Sequence, residues 1–501
     1  MLKQSHNNSF VFYTIIILAL LNIASGNLFA QGILNFPVDT IIKDGYYNYR
    51  SLVKYDNDGF LHIVNSTQFD VQSNTREIYY RTNKTGTFVT TRISSNTIDD
   101  NYATIDFDKN GKVHIGWERK DGSNNFQLIY TNNRNTSSGF GDSVWITTGG
   151  SNKATPFMCV GKKDSLVHFV YYTFVNSVQD YAYYRNYNYF TGVLSQEYQL
   201  GPAEAGSEND CELIADTNGV VHITYVTNTP VSTSALKYFT FSNGTLTEFS
   251  TGIAGYAEYP EMCLNPLINK VYIIYRLSTD RRIYLISRNS NGTFTTPQAI
   301  TPSGLGYPSY WRGIDVDESG RLFVTYQNSV APSPKGFFLI YGSPGSSFSS
   351  PLLVWQDSVN YSGRGSSSVT AKGDFNIAVA FDPTALRNGN VVSDIFIKKG
   401  ILVPVNISEN TTYTDNYELY QNYPNPFNPV TVISFKMLHS GFVELSVFDV
   451  LGRKVASLVN GKLNSGRHTI KFDGSELNNG VYFYKIITQD YTSVKRMILL
   501  K

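Results

Sequence analysis

The sequence predicts an all-β chain: a seven-bladed β-propeller followed by a small C-terminal β-sandwich. Three observations carry this. A turn-and-strand signature recurs seven times between residues 31 and 400, at about fifty-residue intervals. The composition suits strands, with 36 Tyr and 31 Phe, 14% aromatic residues and only 16% charged ones. Glycines at 452, 461, 466, 474 and 480 cut residues 417–501 into short runs.

The repeat is clearest at a hairpin. DNDGFLHI at 56–63 returns as DKNGKVHI at 108–115, DTNGVVHI at 216–223 and DESGRLFV at 317–324. Degenerate copies are SLVHF at 165–169, NKVYI at 269–273 and GDFNI at 373–377. The marker residues are therefore His62, His114, His168, His222, Tyr272, Phe323 and Asn376. In each copy a strand runs into a D-x-x-G turn, whose glycine permits positive φ, and a second strand leaves it. An aromatic follows three residues after the marker at Trp117, Tyr171, Tyr225, Tyr275 and Tyr326. A polar loop, a third strand, a glycine turn and a fourth strand complete the unit. The seventh unit stops after residues 394–397 without a clear fourth strand. Residues 33–42 form an orphan strand at the other end, expected to close the ring as the outer strand of the last blade. Four strands per unit and seven units give the propeller.

The grammar resembles a widespread class of secreted propeller repeats related to the sialidase-like propellers. The S-x-D-x-G-x-x-W box of true sialidases is not intact here, so the resemblance does not bring sialidase chemistry with it.

The chain ends read as addresses. Lys3 precedes an uncharged, mostly apolar run at 10–21, and small residues follow at 24–26 and at Ala30. That pattern predicts a signal peptide over 1–30. The run is too short for a membrane-spanning helix, so no span is expected after cleavage. Residues 401–416 are polar and rich in Thr and Asn and read as a linker. From 417 onward come NYPNPFNP at 422–429, Asp449 with Gly452, Gly480-Val481-Tyr482 and Lys495-Arg496. Their order and spacing closely resemble the type A sorting domain of the type IX secretion system, over residues 417–501. The resemblance implies Sec export, engagement of the type IX machinery, passage across the outer membrane and removal of the domain at the cell surface. Read without it, the segment is still a small sandwich. Val443, Leu445 and Val447 alternate, and the prolines keep the entry segment out of central pairing.

Lys plus Arg is 41 and Asp plus Glu is 40, a net charge of +1. This excludes nucleic-acid binding driven by bulk charge and a disordered acidic chain. Three cysteines cannot build a disulfide framework. Four histidines share one repeat position, which Tyr272, Phe323 and Asn376 also fill, so they read as packing residues rather than metal ligands. The same reasoning predicts that His114→Phe is tolerated. No metal site, cofactor or catalytic set is expected.

A propeller funnel opens at residues preceding each first strand and loops following each second strand. The first set holds Arg50, Tyr102, Lys153, Asp210, Tyr259, Glu261, Trp311, Arg312 and Arg364. The second holds Glu118, Arg119, Arg276, Arg281, Arg282 and Lys335. The ligand-binding candidates are Trp311, Arg312, Arg276, Tyr259, Glu261, Glu118 and Arg119. Trp311, Arg312 and Arg276 are expected to converge on one side. Indole faces stack on sugars and guanidinium groups grip carboxylates in pairs of hydrogen bonds, which suits a polysaccharide or acidic sugar. The leading expectation is a non-enzymatic exported propeller binding a glycan or surface protein. Rivals are a sialidase-like glycoside hydrolase or polysaccharide lyase, and a structural surface protein without a small ligand.

Overall fold

The computed structural model describes residues 33–501 except 43–45, 69–74, 135–138, 175–179, 204–210, 228–234, 254, 256, 305–306, 309–311, 329–335, 357–360, 363–365, 374–375, 388–389, 404–416, 451 and 489–490. The segment read as a signal peptide, and Asp210, Trp311, Lys335 and Arg364, lie outside the described residues. The chain divides into two compact units, Met1–Asn406 and Ile407–Lys501. Strands are the only regular elements among the described residues. No helix among them is long and apolar enough to cross a membrane.

Within the first unit the described strands form seven sheets. The second sheet shows the rule. Asp100–Phe107, Val113–Lys120, Phe126–Asn132 and Val144–Trp145 pair in sequence order, each antiparallel to the last. The D-x-x-G turn forms as expected. In its first copy Gly59 has φ 83° and donates to the Asp56 carbonyl, while the Asp56 carboxylate accepts from Asp58 N and Phe60 N. The orphan strand finds the partner foreseen for it. Ile33–Ile42 pairs antiparallel with Ile395–Val403, from Ile33 opposite Val403 to Ile42 opposite Ile395. Asn376–Phe381 and Ser367–Lys372 complete that sheet. This pairing carries strand structure three residues past position 400, into the segment read as linker; the rest of that segment is outside the described residues.

The core lies between the sheets. One apolar cluster runs from Leu52 and Ile78 through Ile105, Trp117 and Tyr184 to Ile223 and Phe241. Others fill the seams around Tyr272 and Val324, and around Phe323 and Phe381.

The second unit holds two sheets. One joins Glu418–Leu419, Val430–Met437 and Gly466–Asp473; the other joins Lys454–Leu463, Gly441–Phe448, Gly480–Ile487 and Thr492–Leu499. Phe435, Met437, Val443, Leu445, Tyr484 and Met497 share one core. The NYPNPFNP segment is fastened to it. Asn422 donates to Pro424 O and Thr431 Oγ1, Phe427 is buried, and its backbone exchanges hydrogen bonds with Ile498 and Leu500.

Candidate functional site

The start of the innermost strand carries a repeated distortion. In the first sheet Tyr49 pairs with Ser66 and Leu52 with Val64, so Arg50 and Ser51 oppose Asn65 alone. The same two-against-one bulge places Tyr102–Ala103 opposite Trp117, Thr155–Pro156 opposite Tyr171, and Tyr259–Pro260 opposite Tyr275. The leading residue of each is left-handed: φ is 56° at Arg50, 52° at Tyr102, 54° at Thr155 and 53° at Tyr259; Arg312, two residues before the strand Ile314–Val316, is left-handed too at 54°. Non-glycine residues there cost about 1–2 kcal/mol each, so surrounding structure must hold them. Bulges of this kind re-aim side chains at the rims of β-structures. The aromatic three residues after the marker is the residue facing the bulge, and Trp117, Tyr171 and Tyr275 are each fully buried there.

The candidate arginines are brought to this rim, but their charges are already matched. Arg119 grips Asp100 with Nε to Oδ1 at 2.6 Å and Nη2 to Oδ2 at 2.9 Å, while Trp117 Nε1 donates to the same carboxylate at 2.9 Å. Arg276 Nη1 lies 2.5 Å from Glu258 Oε2. Arg312 reaches a distant sheet: its Nη2 donates to Met158 O at 2.7 Å and lies 3.2 Å from Glu212 Oε1. The expected convergence of Arg312 and Arg276 is therefore not what their guanidinium groups do; each meets its own carboxylate.

The two candidate glutamates tie neighbouring sheets together. Glu118 Oε2 accepts from Thr155 N at 2.9 Å, and Glu261 Oε2 accepts from Gly313 N at 2.7 Å. Other carboxylates do the same. Asp106 takes Val160 N, Asp315 takes Ala371 N, and Asp382 takes both Ser51 N and Ser366 N. The last joins the seventh sheet to the first. Apart from the Ser366 bond, which lies within the seventh sheet's own strand ends, each satisfies a backbone donor of one sheet with a side chain from another. Sequence reasoning missed Asp106, Asp315, Asp382 and Glu212. For Asp106, Asp315 and Glu212 the signal was an acidic residue within the first strand; Asp382 directly follows a second strand, Asn376–Phe381.

Burial sets the protonation of this ring of carboxyls. It pushes Glu118 up to about 8, against the opposing Thr155 N–H and the Arg50 charge. It raises Glu212 to about 7, with Arg312 opposing, and Asp382 to about 6. Glu261 is driven well above the usual range by burial and then by the Glu212 charge. Asp106 goes the other way: burial opposes ionisation, but Lys162 and Lys54 hold it well below the carboxylate range. Lys54 Nζ is 2.5 Å from its Oδ1.

An aromatic shelf stands at the bulges of the first two sheets. Tyr47 and Tyr49 stack with centroids 6.1 Å apart and 24° between planes, and Tyr49 meets Tyr102 edge-on at 6.1 Å. The Arg50 guanidinium lies 3.8 Å from the Tyr102 ring centroid and 5.0 Å from that of Tyr49. Tyr47 and Tyr49 are partly exposed, and Tyr46 beside them is exposed. Burial, then the Asp382 charge, pushes the Tyr47 hydroxyl up to about 12, so it remains a hydrogen-bond donor. Tyr259 sits on the bulge of the fifth sheet, away from this group.

The marker histidines are internal. His62 Nδ1 is 2.6 Å from Tyr80 Oη and its Nε2 is 3.0 Å from Asp56 Oδ2. His114 pairs with Tyr130 at 2.5 Å and His168 with Tyr184 at 2.7 Å, and His222 pairs with Tyr238. No group of three or more His, Cys, Asp or Glu among the described residues has metal-binding geometry. Cys159, Cys211 and Cys263 are free and buried. The tolerance expected of His114→Phe is revised, because Phe323 stacks on its cross-strand partner Tyr341 at 6.1 Å, while Leu339 stands where Tyr130 bonds His114.

Residues 421–500 match the family model described as a secretion system C-terminal sorting domain. This segment is a type IX secretion sorting domain, and it marks the chain for export to the cell surface or for secretion. No curated protein matches the chain. Among solved structures, a protein of unknown function from Dyadobacter fermentans is 11% identical, with 74% of this chain and 99% of that one aligned at a TM-score of 0.45. The Hadza microbial sialidase Hz136 is 8% identical over 71% and 66%, at 0.43. An α-L-arabinanase of Penicillium chrysogenum, complexed with arabinobiose, is 12% identical over 62% and 98%, at 0.42.

Proposed function

We propose that this is an exported seven-bladed β-propeller that binds polysaccharide or surface glycan at its funnel mouth without cleaving it. The layout is a signal peptide over 1–30, the propeller over 31–400, a linker over 401–416 and a sandwich-type sorting domain over 417–501. The seven sheets, and the last one's use of the N-terminal strand, support the ring. The observation that carries the binding reading is the shelf of Tyr47, Tyr49 and Tyr102 with Arg50 laid across it. Tyrosine rings offer a sugar an apolar face and a hydroxyl at low ordering cost.

The hydrolytic rival draws on Glu118, whose carboxyl keeps its proton at neutral pH. Its two oxygens are spent on Thr155 N and Asn101 Nδ2, at 2.9 and 3.5 Å. A general acid must reach the bond that it protonates, and Glu261 is likewise turned onto Gly313 N. The test is a glycan array on the mature chain together with reducing-sugar release from every polysaccharide that it retains. Retention without release is expected. Release that disappears in Glu118→Gln overturns the reading.

A further inference from the structure

The seams between sheets are not equivalent. In the first four sheets a tyrosine on the third strand, two residues from the marker's partner, fills the seam: Tyr80, Tyr130, Tyr184 and Tyr238. An aromatic from the next sheet meets it. Tyr80 packs edge-on against Phe140 at 5.3 Å, and Tyr238 against Phe294 at 4.9 Å. In the fifth sheet that tyrosine is replaced by Leu285, opposite Ile274. The aromatic of the sixth sheet, Phe348, has no ring to meet. A groove of about 970 Å³ opens at this seam, with Tyr272, Leu285 and Phe348 among its walls.

The groove is built rather than frayed. Gln298 clamps its two rims: its Nε2 donates to Ser346 O at 2.7 Å and its Oε1 accepts from Gly345 N at 2.9 Å. The rims, residues 295–302 and 344–351, are dominated by Ser, Thr and Pro. No carboxylate lines it and Lys270 is its only charged residue. Its volume is that of a small-molecule site. Walls of hydroxyls and flat proline and aromatic faces, almost without charge, match a chain of neutral sugars. Hydroxyls there can donate and accept in turn, and ring faces lie on the apolar patches.

We infer that the seam between the fifth and sixth sheets is a second binding site, for a neutral oligosaccharide, separate from the funnel mouth. The inference stands on the groove alone and survives if the mouth binds nothing. The test titrates the mature chain with xylohexaose, cellohexaose and mannohexaose by calorimetry. At least one is expected to bind. Leu285→Tyr restores the ring present in the sister seams and should weaken that binding at least tenfold. Ser346→Trp, on the exposed rim, should do the same if the first variant fails to fold. Tyr49→Ala at the mouth should leave it unchanged. Failure of all three sugars to bind at millimolar concentration, or equal binding in Leu285→Tyr and Ser346→Trp, overturns the site. Binding that is confined to acidic hexasaccharides and lost in Lys270→Ala overturns the neutral assignment.

Discussion

The first four sheets and the last three use the same repeat position differently. In the first four the marker is a histidine, fixed on one side by a tyrosine of its own sheet. On the other side a turn aspartate stands 3.0 to 3.9 Å away. In the last three it is Tyr272, Phe323 or Asn376, and Leu285, Leu339 or Lys399 takes the tyrosine's place. A seam between sheets can therefore be filled by a buried polar triad or by apolar packing, and the choice has consequences. The triad fills space and adds titratable groups. Where it is missing, between the fifth and sixth sheets, a groove remains.

The sharpest way to break the comparison is at a position that both halves share. Asp106 and Asp315 each stand opposite the marker and each takes a backbone N–H of the next sheet. Of the two, only Asp106 forms ion pairs with Lys54 and Lys162. Asp106→Asn strands those cations, but their side chains are 30% and 40% exposed, so the expected cost is about 1–3 kcal/mol, below that of a fully buried pair. Asp315 forms no such ion pair among the described residues, and burial raises it above the usual range, so Asp315→Asn strands no paired cation and should cost far less. Urea midpoints of the two variants decide it, and equal losses contradict the assignment.

The next effect is at the marker. His114 is fully buried against Tyr130. His114→Phe leaves the buried Tyr130 hydroxyl with Asn132 Nδ2 alone and is expected to cost about 1–3 kcal/mol. Adding Tyr130→Phe should recover part of that loss in a double-mutant cycle. Additive losses would mean that the pair is not coupled.

Acid should distinguish the two halves more gently. Burial holds His62 and His114 below the usual imidazole range, so the fold favours their neutral form. The unfolded chain takes up those protons near pH 6.5, so this stability is present above 6.5 and is lost as pH falls below it. Hydrogen exchange at pH 5 against pH 7 should quicken first in the first two sheets, and uniform quickening would count against the triads. On the alkaline side the sign reverses. Glu118, raised to about 8, keeps a proton that the unfolded chain releases near 4.3, so its contribution is full below that and is lost as pH rises through 8. Glu118→Gln should flatten the fall in Tm between pH 6 and 9; an unchanged slope removes Glu118 as its source.

Much of the ring was legible because strand repeats carry their own register. The D-x-x-G turns, the marker series and the orphan strand at 33–42 all reflect pairing between neighbours in a repeat. The tyrosine partners were nearly legible too, 16 residues after His114, His168 and His222 and 18 after His62. The candidate site was not. Arg50, Tyr102, Lys153, Tyr259 and Glu261, expected before the first strands, lie within them, and whether a charge there faces solvent depends on partners from other sheets. Arg312 meets Met158 O, 154 residues away, and no local pattern encodes that reach. Arg312 is expected to carry fold stability for this reason. Glu212, 2% exposed beside it, is left unpaired if the guanidinium is removed.

The assignment of roles at the mouth is tested most directly by measuring Tm and glycan affinity side by side in two variants, Arg312→Ala and Tyr49→Ala. Arg312→Ala is expected to lower Tm clearly while the protein that remains folded binds a retained glycan with unchanged Kd. Tyr49→Ala is expected to keep Tm within a few degrees and weaken the same glycan by about tenfold, the effect of losing about 1.4 kcal/mol of contact. The reverse pattern, with affinity lost in Arg312→Ala at an unchanged Tm and intact binding in Tyr49→Ala, contradicts it and returns the site to the arginines.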